Sequence, residues 1–110
     1  MRVIKVEPGE MLKIIDVPNE LEALQKEVDG YIECVSFCED AVIICNEEGA
    51  INGMEFNIWY KEHVIFGPLL VAGVDGEEFC DIPEEAEVAF IAGWALSKEY
   101  ADKVRWEARK

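Results

Sequence analysis

A chain of 110 residues is long enough for one hydrophobic core and too short for two, so a single domain spanning 1–110 is expected. With 51% hydrophobic and 10% aromatic residues it has the material to fold, while 24 acidic against 10 basic residues leave a formal net charge of −14. That field opposes binding of duplex nucleic acid and of anionic membrane, because affinity for both rests on Lys and Arg.

Residues 2–6 and 11–16 are rich in Val and Ile and flank Pro8-Gly9. They read as a hairpin with Ile4, Val6, Leu12 and Ile14 inward and Lys5, Glu7 and Lys13 outward. Pro18-Asn19 then opens a helix over 19–29, with Asn19 as cap, Glu22 completing a capping box, Leu21, Leu24 and Val28 on one face, and Gly30 as the stop. Residues 31–38 and 41–46 are two short apolar segments around the turn Glu39-Asp40. The second is apolar on both faces and is expected near the sheet centre with cover on each side. Asn46 to Gly53 is the densest cluster of turn signals, and 54–60 is ambiguous between strand and loop. Residues 64–74 read as a strand interrupted at Gly67-Pro68, followed by a turn at Asp75-Gly76. Asp81, Pro83 and Glu84 open a C-terminal helix whose body is apolar on more than one face and calls for more than one neighbour. Gly93 interrupts it, and beyond residue 97 the segment is charged, with Tyr100, Val104 and Trp106 loosely spaced. The 86–106 stretch is a candidate seam for a homo-oligomer. The fold class that results is α+β, a mostly antiparallel sheet with one helix after the first hairpin and one at the C-terminus.

Chemistry-bearing residues are few. There is no Thr, the only serines are Ser36 and Ser97, and His63 is the single histidine, so triad and multi-histidine metal chemistry lack their parts. Cys34, Cys38, Cys45 and Cys80 match neither a zinc nor a redox spacing. A plain two-residue turn would set Cys34 opposite Cys45 on one sheet face, and small buried thiols are the preferred reading. No metal, cofactor or catalytic pair is expected, although His63 with Glu62 or Asp40, or Cys80 as a thiolate, would be the kit of an enzyme. No apolar run approaches the roughly 20 residues of a bilayer span, and Met1 to Glu7 alternates as a strand does, so a cytosolic protein without membrane contact is expected.

The order of Val6-Glu7-Pro8-Gly9, Asn19-Glu20-Leu21-Glu22-Ala23-Leu24-Gln25, Gly30-Tyr31-Ile32-Glu33, Cys45-Asn46-Glu47-Glu48-Gly49, Asn52-Gly53, Asn57, Gly67-Pro68 and Gly73-Val74-Asp75-Gly76-Glu77 resembles the family called domain of unknown function 3846. The likeness spans residues 3–82, with 83–110 as a C-terminal helical extension. It implies a small protein of bacteriophages or other mobile elements, with no settled activity and with counter-defence in the host cytosol as the expected setting.

Two binding functions follow from the residues. One is a pocket that sequesters a small nucleotide-like ligand, with Asn46, Asn52 and Asn57 bonding a base or ribose, Gly53 and Gly67 allowing close backbone approach, and Trp59 or Tyr60 stacking on a ring. The other is an acidic inhibitor or DNA mimic that occupies a basic host protein through Glu47-Glu48, Glu77-Glu78, Glu84-Glu85 and Glu87.

Overall fold

The computed structural model describes the backbone of residues 1–108 and the side chains up to Leu96. The spacing of Tyr100, Val104 and Trp106 therefore lies outside the described side chains. The expected opening hairpin forms from β1 (Arg2–Val6) and β2 (Lys13–Asp16), with Ile4 opposite Ile14. Helix α1 (Leu21–Val28) follows, then β3 (Ile32–Cys38) and β4 (Ala41–Asn46). A separate hairpin comes next, β5 (Phe56–Tyr60) and β6 (His63–Phe66), and then β7 (Leu69–Asp75), β8 (Glu78–Cys80) and α2 (Glu84–Ala108). The main sheet runs β2-β1-β7-β4-β3 with β8 also on β7, and every pairing is antiparallel. The chain is an α+β domain, and residues 56–60 of its ambiguous stretch at 54–60 are a strand.

Because β1, β4 and β7 are buried on both faces, the sheet carries two cores. On one face Val3, Ile44, Leu70 and Ala72 pack against Leu24 and Val28 of α1. On the other, Ile4, Ile43, Leu69 and Val71 meet Ile58 and Ile65 of the β5–β6 hairpin and Ala86, Phe90 and Trp94 of α2. The doubly apolar β4 lies where its pattern requires, between β7 and β3 with cover on each side. Residues 64–74 are two strands, not one. At Gly67, whose φ is +83°, the chain leaves the small hairpin and enters the main sheet.

Several local expectations are corrected. Ile14 shares a sheet face with Ile4 but is 39% exposed, because β2 is the outermost strand and the covering layer does not reach it. Lys5 does not face open solvent; it lies beside α1, paired with Glu27 and, at 3.2 Å, with Glu7. Asn19 does not cap α1: its amide donates to the Phe79 carbonyl at 2.8 Å, and the residue before the helix, Glu20, makes no side-chain cap bond. The left-handed residue after α1 is Asp29, at φ 59°, rather than Gly30. Asp81 likewise accepts the Arg2 backbone amide at 2.7 Å instead of capping α2, and the Arg2 side chain pairs with Glu87. These bonds fasten the start of α2 to β1.

The cysteine pairing differs as well. Cys45 faces Glu33 and Cys34 faces Ile44, so Cys34 and Cys45 lie on opposite faces of the sheet. A bulge between Ser36 and Cys38 inserts an extra residue next to the turn, and a shift of one residue turns every side chain over. Of the four free thiols only Cys45 is buried; Cys34 and Cys38 are exposed because β3 is an edge strand, and Cys80 is half-buried.

Candidate functional site

A cleft of about 270 Å³ opens where the end of β4 and the neighbouring part of β3 approach the β5–β6 hairpin. Its walls include Val35, Cys45, Ile65 and Phe66, and its polar lining is Glu33, Asn46, Glu47, Glu62 and His63. Close contact with the 47–55 loop shapes one side: a side chain on Gly49 would put its Cβ 2.6 Å from the Phe66 carbonyl oxygen, so only glycine lets the loop lie against β6.

Charge dominates the cleft. Three carboxylates line it, and His63 is the only basic side chain among its lining residues. Cys45 lies within this lining, but burial, and then the nearby Glu33 carboxylate, push its thiol up from 9.0 to about 11. At neutral pH it is a protonated thiol aimed at the Glu33 carbonyl oxygen, 3.7 Å away, and not a nucleophile. Among the described residues no three His, Cys, Asp or Glu side chains converge as a metal ion requires.

Of the seven residues that sequence reasoning placed in a pocket, one lines this cleft. Asn46 is buried at the end of β4, where its amide nitrogen donates to the carbonyls of Val28, at 3.0 Å, and Asp29, at 3.2 Å. Its oxygen accepts the Glu48 amide at 2.8 Å. It fastens the C-terminus of α1 to the sheet, and both amide protons are engaged there. Asn57 is also buried: it sits in a bulge of β5 that turns it inward, and it donates to the carbonyls of Val6 and Gly67 at 2.9 and 2.8 Å. Tyr60 donates its hydroxyl to the Phe37 carbonyl at 2.9 Å and packs on the Phe37 ring. Asn57, Tyr60 and Gly67 thus hold the small hairpin on the sheet. Asn52 and Gly53 lie in the exposed 47–55 loop, and Trp59 is 62% exposed with its ring edge-on to Phe56.

Glu33 and Cys45 were in no binding site read from the sequence, whereas Glu47 belonged to the acidic surface and Glu62 with His63 to the kit of an enzyme. The missing information is the contact between β4 and β6, which brings residues 33, 47 and 62 to one place.

The profile of the family described as Domain of unknown function (DUF3846) matches residues 1–95, taking in the main sheet, the small hairpin and the first half of α2. The chain belongs to that family. No curated protein and no solved structure matches it. Among the described residues, no helix is long and apolar enough to cross a membrane.

Proposed function

We propose that this protein is a non-catalytic binding protein that occupies a basic partner protein, with the cleft receiving a lysine or arginine side chain of that partner. The observation that carries this reading is the set of three carboxylates, Glu33, Glu47 and Glu62, lining one concavity. Carboxylates around a guanidinium or ammonium make charge-assisted hydrogen bonds, and a net charge of −14 speeds the approach of a basic surface. In the setting the family resemblance implies, the partner is a host protein of the cytosol that ordinarily holds nucleic acid.

A second reading, sequestration of a small nucleotide-like molecule, draws support from the size of the cleft, which approaches that of small-ligand sites. Its carboxylates could accept hydrogen bonds from the N–H edge of a base, but a phosphate would meet like charge and would have to stay in solvent.

The two readings separate in one titration followed by amide chemical shifts. An arginine-rich peptide is expected to shift the amides of β3, β6 and 46–50, and the triple variant E33Q/E47Q/E62Q to weaken that binding. The corresponding triple change of Asp75, Glu77 and Glu78 to amides, at the opposite end of the sheet, should weaken it less. Equal loss in both variants would reduce the effect to net charge and overturn the cleft reading. Saturable binding of a mononucleotide or cyclic dinucleotide, insensitive to salt, would favour the second reading instead.

A further inference from the structure

β3 forms one edge of the main sheet, and two backbone bonds fix which of its groups point outward. Glu47 donates its amide to the Tyr31 carbonyl at 2.9 Å, and Val74 donates to the Asp40 carbonyl at 2.9 Å. The second bond directs the even-numbered residues of β4 at β7 and hence Ile43 and Cys45 at β3, where they oppose Val35 and Glu33. The N–H and C=O groups of Ile32, Cys34 and Ser36 are left on the outer side. Among the described residues, none donates to those groups or accepts from them.

Edge strands are ordinarily blunted by shortness, by Lys or Pro, or by a bulge. From Ile32 to Ser36 this one is not: its bulge lies beyond Ser36, and Glu33 is the only charged residue of the strand. β2, at the other edge, is four residues long and begins with Lys13.

Charge decides what the edge accepts. Glu33 and Val35 line the cleft together with Glu62 and His63 of the small hairpin. A strand added beside β3 runs about 4.8 Å from it, and its residues opposite Glu33 and Val35 project onto the face that carries the cleft. Lysine or arginine there meets Glu33 and stands beside the other carboxylates. A second copy of β3 would instead bring two sets of cleft carboxylates to one seam, like charge against like.

We infer that the partner binds by strand addition. An extended segment with lysine or arginine at alternate positions pairs with β3 in the antiparallel sense, the more stable per residue. Its backbone bonds to Ile32, Cys34 and Ser36, and its basic side chains enter the cleft. The basic side chains rest on the function proposed above, the pairing on the open edge.

Titration calorimetry of the full chain with a peptide that alternates arginine and valine tests the inference. Antiparallel addition with arginine over the cleft directs the valine amides at β3 and the arginine amides at solvent. N-methylation of the valine amides is expected to weaken binding at least tenfold, and N-methylation of the arginine amides much less. In the protein, Cys34→Pro removes one outward N–H at a position where an edge strand tolerates proline, and should weaken binding by about tenfold with an unchanged circular dichroism spectrum. The methylated peptides probe the unaltered protein, whatever that substitution does to folding. Equal affinity for both methylated peptides, with binding still lost in E33Q/E47Q/E62Q, would overturn strand addition and leave the cleft reading standing. Loss on valine methylation and in Cys34→Pro, with none in E33Q/E47Q/E62Q, would overturn the cleft reading and keep the pairing. A wild-type dimer that Cys34→Pro dissociates would give the edge to a second copy and overturn the inference.

Discussion

Cys45 is a residue whose environment makes a prediction about pH. Burial, with Glu33 beside it, raises its thiol from 9.0 to about 11, so the folded protein favours the neutral form more strongly than the unfolded chain does. A raised folded value means that the associated stability is complete below about pH 9 and is lost as pH climbs towards about 11. At the upper end the loss amounts to about 2 kcal/mol. Urea unfolding across this range should show the decline, and Cys45→Ala should lessen it; burial raises the thiols of Cys34, Cys38 and Cys80 in the same direction. What remains belongs in part to Lys5: burial alone would lower its ammonium, but hydrogen bonds to Glu27 and Glu7 outweigh that and hold it above its ordinary value. At the same scale, two asparagines read from the sequence as ligand donors are engaged within the fold. Asn46 and Asn57 carry the donors that a base would need, yet each gives both amide protons to backbone carbonyls left without partners at an element end or a bend. Side-chain amides of one type serve either purpose, and only the position of distant carbonyls distinguishes them.

Among the elements, the β5–β6 hairpin is the one whose attachment is most exposed to single changes. It pairs with no strand of the main sheet and is held by the apolar contacts of Ile58 and Ile65, by the Asn57 amide and by the Tyr60 hydroxyl. Tyr60→Phe removes one bond, from a partly buried hydroxyl to the Phe37 carbonyl, and is expected to cost about 1 kcal/mol. Native-state hydrogen exchange should then quicken in 56–66 more than in β4 and β7, because the hairpin opens as a local unit. Uniform acceleration throughout the chain would mean that the hairpin and sheet unfold together. The hairpin also shows how partial the sequence signal is. Gly67-Pro68 was legible as an interruption, but whether the chain bends within one sheet or passes to another depends on contacts between Asn57, Val6 and Gly67, which no local pattern contains.

For the whole molecule, the charge balance sets the response to salt. Acidic groups exceed basic ones by 14, and the ion pairs seen among the described residues involve only Arg2 and Lys5. Net repulsion therefore opposes folding more than ion pairing supports it, and screening should help the folded state. The thermal midpoint is expected to rise between low ionic strength and about 0.5 M sodium chloride, as read by calorimetry, whereas a fall would assign the larger share to the ion pairs.

What the amino-acid sequence determined by itself is everything that depends on near neighbours: which segments alternate, which strand is apolar on both faces, where Pro and Gly break the chain, and the sign of the surface. The tertiary structure alone decided the register of β3 on β4, the separation of Cys34 from Cys45, and the meeting of Glu33, Glu47 and Glu62 at one cleft. The reason is physical: patterns with period 2 or 3.6 record a segment's preference for an interface, but register and site geometry arise from bulges and long-range contacts whose energies belong to pairs of residues far apart in the chain.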